Sequence, residues 1–155
     1  MMIRKAVIPA AGLGTRMLPL TKTLPKEMLP LADKPCIQYI IEELYDAGVD
    51  QILIITGQNK RAIEDHFDKD MALSRIISTS DQKELLQRLA FEDMNIQFYY
   101  TRQSDPRGLG DAILHARNFI GNESFYVALG DSVITSKAYK PLLQRMREVN
   151  DSHPS

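Results

Sequence analysis

Cysteine is nearly absent from this 155-residue chain, which holds only Cys36. A lone cysteine excludes a disulfide framework and a cysteine-based zinc site. Net charge is nearly absent too: 19 Lys and Arg stand against 20 Asp and Glu, giving −1. A near-neutral chain is a poor bulk electrostatic partner for nucleic acid or an anionic membrane, so neither is expected as a partner. No apolar run approaches the roughly 20 residues that span a bilayer. The start, Met1-Met2-Ile3-Arg4-Lys5, leads into an apolar stretch that stops at Pro9, without the length or cleavage pattern of a signal peptide. These absences favour a soluble, cytoplasmic protein.

The composition that remains is ordinary. Hydrophobic residues at 44% and charged residues at 25% match a globular domain and argue against disorder. The length is one domain's worth, residues 1–155, able to bury roughly 70% of the surface its unfolded chain would expose. Charge is unevenly spread. Up to position 35 there are six basic and two acidic residues, a net of +4, which leaves −5 for the rest. Such a basic start suggests a local anion site, with solvated surface lysines as the alternative.

Lys5-Ala6-Val7-Ile8 reads as a short buried strand, ended by Pro9 and the glycines that follow. Pro19, Pro25, Pro30 and Pro35 then exclude a continuous helix, and Pro35 can serve as the first helical residue of the next element. Ile37, Ile40, Ile41 and Leu44 fall at i, i+3, i+4 and i+7, an amphipathic helix closed by Gly48. Residues 51–56, apolar and β-branched, read as a strand buried on both faces. A short helix over 60–68 follows, then a polar, helical stretch over 70–92 with Leu85, Leu86 and Leu89 as its apolar stripe. A third strand is expected over 96–100. A helix over about 111–119 should turn Ile113, Ala116 and Ile120 inward. A fourth strand is expected over 125–129. A last helix over 137–149 should carry Leu142, Met146 and Val149 on one side, before a loose polar tail from Asn150 to Ser155. Strands alternating with helices predict an α/β fold with a mainly parallel, Rossmann-like sheet flanked by helices. Ligands of such sheets bind beyond the carboxyl ends of the strands, which points to the loops after Ile8, Tyr100 and Leu129.

The loop Ala10-Ala11-Gly12-Leu13-Gly14-Thr15-Arg16 lets backbone approach a ligand and makes an anion-binding concavity. It is neither a dinucleotide fingerprint, which needs glycine where Met17 stands, nor a P-loop, which needs Gly-Lys-Ser/Thr. Arg16 offers a planar donor fork suited to phosphate; an ordinary strand-end turn with a surface arginine is the alternative. Lys26, between Pro25 and Pro30, rides on stiff backbone and could supply a second fixed cation, or lie on a solvated loop. Asp131 at the end of the fourth strand could be a metal ligand, a turn residue or a helix cap. His66 and His115 lack metal-spaced partners and read as structural or surface residues. Cys36 opens a helix, where a thiol can be activated, but no paired His marks it as a nucleophile.

The segment from Ile8 to Tyr39, with Pro25-Lys26-Glu27-Met28-Leu29-Pro30 and Asp33-Lys34-Pro35 inside it, closely resembles the start of the bacterial UTP–glucose-1-phosphate uridylyltransferases. These belong to the sugar-phosphate nucleotidyltransferase family. Ile63-Glu64-Asp65-His66-Phe67, Gly108-Leu109-Gly110 and Leu129-Gly130-Asp131 extend the resemblance over most of the chain, least over 70–95. It implies a nucleotidyltransferase (GT-A-like) fold and transfer of UMP from UTP to glucose 1-phosphate, giving UDP-glucose and pyrophosphate. Ala10, Ala11 and Gly12 would lie against uracil and ribose, with Gly14 and Thr15 completing the nucleotide-binding loop. Arg16 and Lys26 would hold the phosphates as the catalytic cations. Gln103 would hydrogen-bond the uracil edge, Gly108 would pack under the base, and Asp131 would bind Mg²⁺.

The sequence also departs from the family pattern. Asp111 stands where many relatives have His, and Ser132 where many have a second acid. Family chains are much longer, and their downstream half carries a second metal-binding aspartate and the groups that grip glucose 1-phosphate. The C-terminus is therefore expected to be an interruption of the family fold. Two alternatives stay open: a relative using dTTP or another sugar 1-phosphate, and a non-catalytic nucleotide-binding or regulatory module; association into a homo-oligomer is left open beside either.

Overall fold

The structure, a computed structural model, describes residues 2–79, 84–105, 107–135 and 141–152. Its centre is a four-stranded parallel sheet. Strand β1 (Lys5–Pro9) leads into the proline-punctuated segment, which forms three separate 3-10 turns, Thr15–Met17, Leu20–Lys22 and Lys26–Met28. A two-strand antiparallel ladder, β2 (Pro30–Leu31) with β3 (Lys34–Pro35), closes the segment. Helix α1 (Cys36–Asp46) and strand β4 (Gln51–Thr56) follow, then α2 (Arg61–Phe67), α3 (Met71–Ser78) and α4 (Leu85–Arg88). The chain continues through β5 (Gln97–Arg102), α5 (Leu109–Leu114), α6 (Arg117–Ile120), β6 (Phe125–Val127) and α7 (Leu142–Ser152).

The strand order is β5-β4-β1-β6. From β1 the chain moves outward to β4 and β5, then returns to place β6 on the opposite side of β1. The order therefore reverses at β1, and the crevice between the carboxyl ends of β1 and β6 is the switch point where open α/β sheets bind ligands.

Alternation along the strands builds two apolar layers. Ala6, Ile8, Ile52 and Ile54 pack on one face with Ile37, Ile41 and Leu44 of α1 and Ile63 and Phe67 of α2. Val7, Leu53 and Ile55 pack on the other with Ala112, Ala116 and Ile120. Ile52, Ile54 and Ile55 are fully buried, each stabilising the fold by roughly 1.5–3 kcal/mol against exposure. That burial on both faces explains why β4 shows no polar alternation in its sequence.

Several boundaries differ from expectation. Pro35 caps α1 in an extended conformation rather than opening it, because it pairs with Pro30 in the small ladder. The expected helix over 111–119 is two short helices. The amides of His115 and Ala116 bond three residues back, to Ala112 and Ile113, which tightens the chain into a 3-10 connection. Ala116 and Ile120 point inward as expected, joined by Ala112, whereas Ile113 is only half-buried. The fourth strand ends at Val127, two residues early.

The polar stretch expected to be helical over 70–92, of which 80–83 lie outside the described residues, is not one helix where it is described. It holds α3, α4 and a 3-10 turn at Ala90–Asp93, with Asp70 capping α3 through Leu73 N–H. In the last helix Leu143 meets the core, while Met146 and Val149 stay exposed. Asn150, Asp151 and Ser152 belong to this helix rather than to a loose tail. The expected helical residues 137–140, and 153–155 of the expected tail, lie outside the described residues. No helix among the described residues is long and apolar enough to cross a membrane.

His66 has a structural role. It stacks on Phe91 with ring centroids 4.7 Å apart, and its Nε2 lies 3.0 Å from Gln38 Oε1. The Gln38 amide nitrogen donates to Glu42, so Nε2 must be the donor in the imidazole contact. Burial lowers the His66 pKa below its ordinary 6.5. Above that value His66 is neutral folded or unfolded. As the pH falls from 6.5 through the folded pKa, the unfolded chain binds the proton first and stability is lost. Thermal melts are expected to show this acid loss, and a smaller one in His66→Gln.

Tyr100 Oη is buried without a hydrogen-bond partner among the described residues, and burial raises its pKa. Tyr100→Phe removes that unpaired group at nearly constant shape. It is expected to raise stability by about 1 kcal/mol in urea denaturation.

Candidate functional site

The switch-point cleft is built by four loops at the carboxyl ends of the strands. The amide of Ala10 donates to Ile55 O at 2.8 Å, which carries the β1–β4 pairing one step past β1. Gly57, just beyond β4, then lies flat against the next residue: a Cβ there would sit 2.8 Å from Ala11 O and 3.2 Å from Ala11 Cα. No side chain fits that gap, so glycine sets how deeply the Ala11–Gly12 backbone is seated.

Beyond Gly14 the chain folds back through its 3-10 turns. Thr21 Oγ1 donates to Gly14 O at 2.7 Å. The Lys26–Met28 turn closes through Met28 N–H to Pro25 O at 2.9 Å. That turn sends Lys26 into the cleft and Glu27 into the interior, where Glu27 is fully buried.

A chain of alternating charges results. Lys60 Nζ, itself 6% exposed, donates to Glu27 Oε2 at 2.8 Å. The other carboxylate oxygen, Oε1, makes no hydrogen bond and lies 3.6 Å from Lys26 Nζ. Lys26 Nζ donates to Asp131 Oδ2 at 2.5 Å. Exposure rises along the series from 0% at Glu27 to 20% at Lys26 and 32% at Asp131, so the dry end anchors the wet end. Gly130 allows the close packing: a Cβ there would meet Glu27 Cγ at 3.0 Å and Ile8 Cγ2 at 3.2 Å.

The cleft measures about 550 Å³ and is lined by Ala11, Gly12, Gly14, Thr15, Lys26 and Asp131 on one side, with Gln103 and Gly108 on the other. Arg16 lines an adjoining hollow of about 420 Å³ that shares Gly12, Gly14, Thr15, Lys26 and Asp131. The guanidinium of Arg16 makes no ion pair among the described residues. Of the residues singled out in the sequence, only Ala10 stands behind the cleft rather than on it, buried in the core with its amide already bonded.

Glu27, Lys60 and Gly57 were missed as site residues. Lys60 lies in the loop after Thr56, at the same edge of the sheet as the three loops singled out, so strand order would have found it. Glu27 carried no signal beyond its place beside Lys26. Cys36 is half-buried, and its thiol is pushed up first by burial and second by the charge of Asp131, so packing rather than nucleophilic chemistry suits it.

No group of three His, Cys, Asp or Glu gathers among the described residues. Among the described residues Asp131 is the one acid lining the cleft. A single carboxylate fits a hard cation that takes the rest of its shell from phosphate oxygens and water, and does not fit an all-protein metal cage.

The chain belongs to the nucleotidyl transferase family, whose profile matches residues 5–153. Over 151 residues it is 52% identical to a UTP–glucose-1-phosphate uridylyltransferase of Streptococcus pyogenes, covering 96% of this chain and 49% of that protein. A UTP–glucose-1-phosphate uridylyltransferase 2 of S. pyogenes serotype M3 is 53% identical over 146 residues, covering 93% of this chain and 48% of its own length. Among solved structures, a UTP-bound UGPase from Acinetobacter baumannii superposes with a TM-score of 0.87 at 35% identity, covering 97% of this chain and 53% of that one. A UDP-glucose pyrophosphorylase complexed with UDP-glucose gives 0.81 at 42% identity, covering 97% and 54%. The chain thus spans about half the length of the curated relatives it matches.

The buried ion pair has a direct test. Lys60→Met leaves the Glu27 carboxylate without its buried partner and is expected to cost about 3–5 kcal/mol in urea denaturation. Replacing both residues by methionine is expected to recover most of that loss, because the desolvation penalty goes with the charges.

Proposed function

We propose that the cleft binds the triphosphate and base of UTP, and that the chain supplies the nucleotide half of a UTP–glucose-1-phosphate uridylyltransferase. The observation that carries this reading is the convergence of Arg16, Lys26 and Asp131 at the switch point, opposite Gln103. Two cations and a carboxylate suit a metal-bound polyphosphate; a buried amide suits a base edge.

In the proposed reaction a phosphate oxygen of glucose 1-phosphate attacks the α-phosphorus of UTP. The bond from that phosphorus to the oxygen bridging to the β-phosphate breaks, and pyrophosphate leaves with the electron pair. No protein nucleophile is needed, so the residues act by position and charge. Lys26 and Asp131 neutralise each other across 2.5 Å. On triphosphate binding Lys26 would exchange this partner for phosphate oxygen, leaving the Asp131 carboxylate free to hold a cation. Lys26 can turn without leaving its anchor, since Glu27 Oε1 faces its ammonium from below. Arg16, at the mouth, offers its fork to the outer phosphates. Mg²⁺, held by Asp131 together with phosphate oxygens, would supply the positive charge that stabilises the developing negative charge on those oxygens.

The relatives' greater length bears on the sugar. Binding of glucose 1-phosphate and turnover belong in this proposal to the whole enzyme, so nucleotide binding is the first quantity to measure on this chain. Calorimetry with UTP, dTTP, CTP and ATP in the presence of Mg²⁺ is expected to favour the two imide pyrimidines. Lys26→Ala is expected to weaken UTP binding by at least about 30-fold, or 2 kcal/mol, with little change in the melting temperature. An unchanged affinity in that variant would remove Lys26 from the site.

A further inference from the structure

Asp111 is unused by the proposed mechanism, yet it touches Gln103, the side chain that the proposed reading sets against the base. Gln103 is 4% exposed and lines the cleft, with its backbone fixed by Gln103 N–H donating to Thr56 O at 2.9 Å. Its amide nitrogen Nε2 donates to Asp111 Oδ2 at 2.5 Å and, at a longer 3.5 Å, to Gly108 O. Both partners are oxygens that only accept. The amide nitrogen thus lies within reach of two protein acceptors, close to the Asp111 carboxylate and at the limit of hydrogen bonding to Gly108 O. Turned over, Gln103 would set its own carbonyl oxygen against a carboxylate and a carbonyl, three acceptors with no hydrogen among them. Asp111 thereby fixes which end of the amide is occupied. Gln103 Oε1 makes no hydrogen bond among the described residues.

We infer that Asp111 is a specificity-determining positioning residue: by holding the Gln103 amide nitrogen, it makes Gln103 present only an acceptor to the base. Placed against the ring nitrogen, an acceptor suits a ring that carries N–H between two carbonyls, the imide edge of uracil and thymine. At the same ring position cytosine carries a lone pair, which would face Oε1 with no proton between them. The arrangement separates imide pyrimidines from cytosine, and it is indifferent to the methyl group that separates thymine from uracil. A free amide could turn over and serve both kinds of base. His115 Nε2 lies 3.6 Å from the same Asp111 oxygen, on the following turn of chain.

This inference rests on the nucleotide reading above, and the experiment keeps the two apart. Asp111→Asn preserves shape but can donate as well as accept, so it releases the amide orientation. Calorimetry at neutral pH with UTP and CTP, each with Mg²⁺, is expected to show the unsubstituted chain preferring UTP by at least about ten-fold. Asp111→Asn is expected to bring the two affinities within about three-fold of each other, with CTP gaining and the melting temperature nearly unchanged. A structural role alone would weaken both nucleotides equally and keep their ratio, and that result would overturn the inference while leaving the nucleotide reading intact. The side-chain amide resonances of Gln103 give a readout without nucleotide. They are expected to move upfield in Asp111→Asn as the carboxylate bond is lost, and unchanged resonances would overturn the inference by themselves. Failure of the unsubstituted chain to bind either nucleotide would overturn the nucleotide reading and this inference together.

Discussion

The cleft depends on one buried carboxylate. Glu27 is fully enclosed beneath the site loop, bonded on one oxygen to Lys60 and facing Lys26 with the other. A buried charge is tolerated only where opposite charge repays the water it has lost. Lys60, almost as buried as Glu27, supplies that charge and lies in the loop after β4. Lys26 lies in the loop after β1, and Asp131 after β6. A single carboxylate therefore ties together the ends of three neighbouring strands, and it does so from below, where solvent and salt screen least. The exposed members of the series can change partners because the buried members cannot.

Topology makes this economy available. Since β1 lies between β4 and β6, the loops that follow these strands emerge side by side, although their residues are far apart in sequence. Two glycines set the spacing. Gly57 admits the Ala11 backbone and Gly130 admits the Glu27 side chain. A Cβ at either would push a loop outward by a few tenths of an ångström or more, and charge-assisted hydrogen bonds do not survive much misalignment. The packing beneath is rigid enough to hold that tolerance, with Ile8, Ile54 and Ile55 fully buried under the cleft floor.

Much of this was legible in the sequence, for identifiable reasons. The unbroken apolar run of β4, the 3.6-residue stripe of α1 and the prolines before it are signals that act over a few residues, and they located the sheet, its first helix and the irregular site segment. The loops carrying Lys26, Gln103 and Asp131 follow from the rule that ligands lie beyond strand ends. The misjudged parts depend on longer-range contacts. Whether 111–119 runs as one helix or two is decided by how Ala112, Ala116 and Ile120 reach the same layer as Val7 and Leu53, which no local pattern states. Leu143 rather than Met146 or Val149 meets the core for the same reason. Lys60 and Glu27 could be recognised as partners only once β4 was known to pair beside β1, and the grip of Asp111 on Gln103 only once α5 was placed against the end of β5.

The two sides of the cleft divide its work by the physics each can use. In the proposed reading Arg16, Lys26 and Asp131, after β1 and β6, act through charge. Charge gives strength, but it cannot tell one nucleoside triphosphate from another, because every one carries the same phosphates. In the same reading Gln103 and Asp111, after β5, act through donor and acceptor order, which contributes less binding but differs from base to base. The sides are joined through β4, whose Thr56 carbonyl accepts from Gln103 N–H while Gly57 next to it seats Ala11. A rigid strand between these two elements would fix the distance from phosphate to base in the proposed complex. A base of the wrong donor order must then either give up its hydrogen bond or pull its phosphates out of register. Selectivity in such a cleft exceeds what one amide would provide on a flexible loop, since the cost of a mismatch falls on both sides at once.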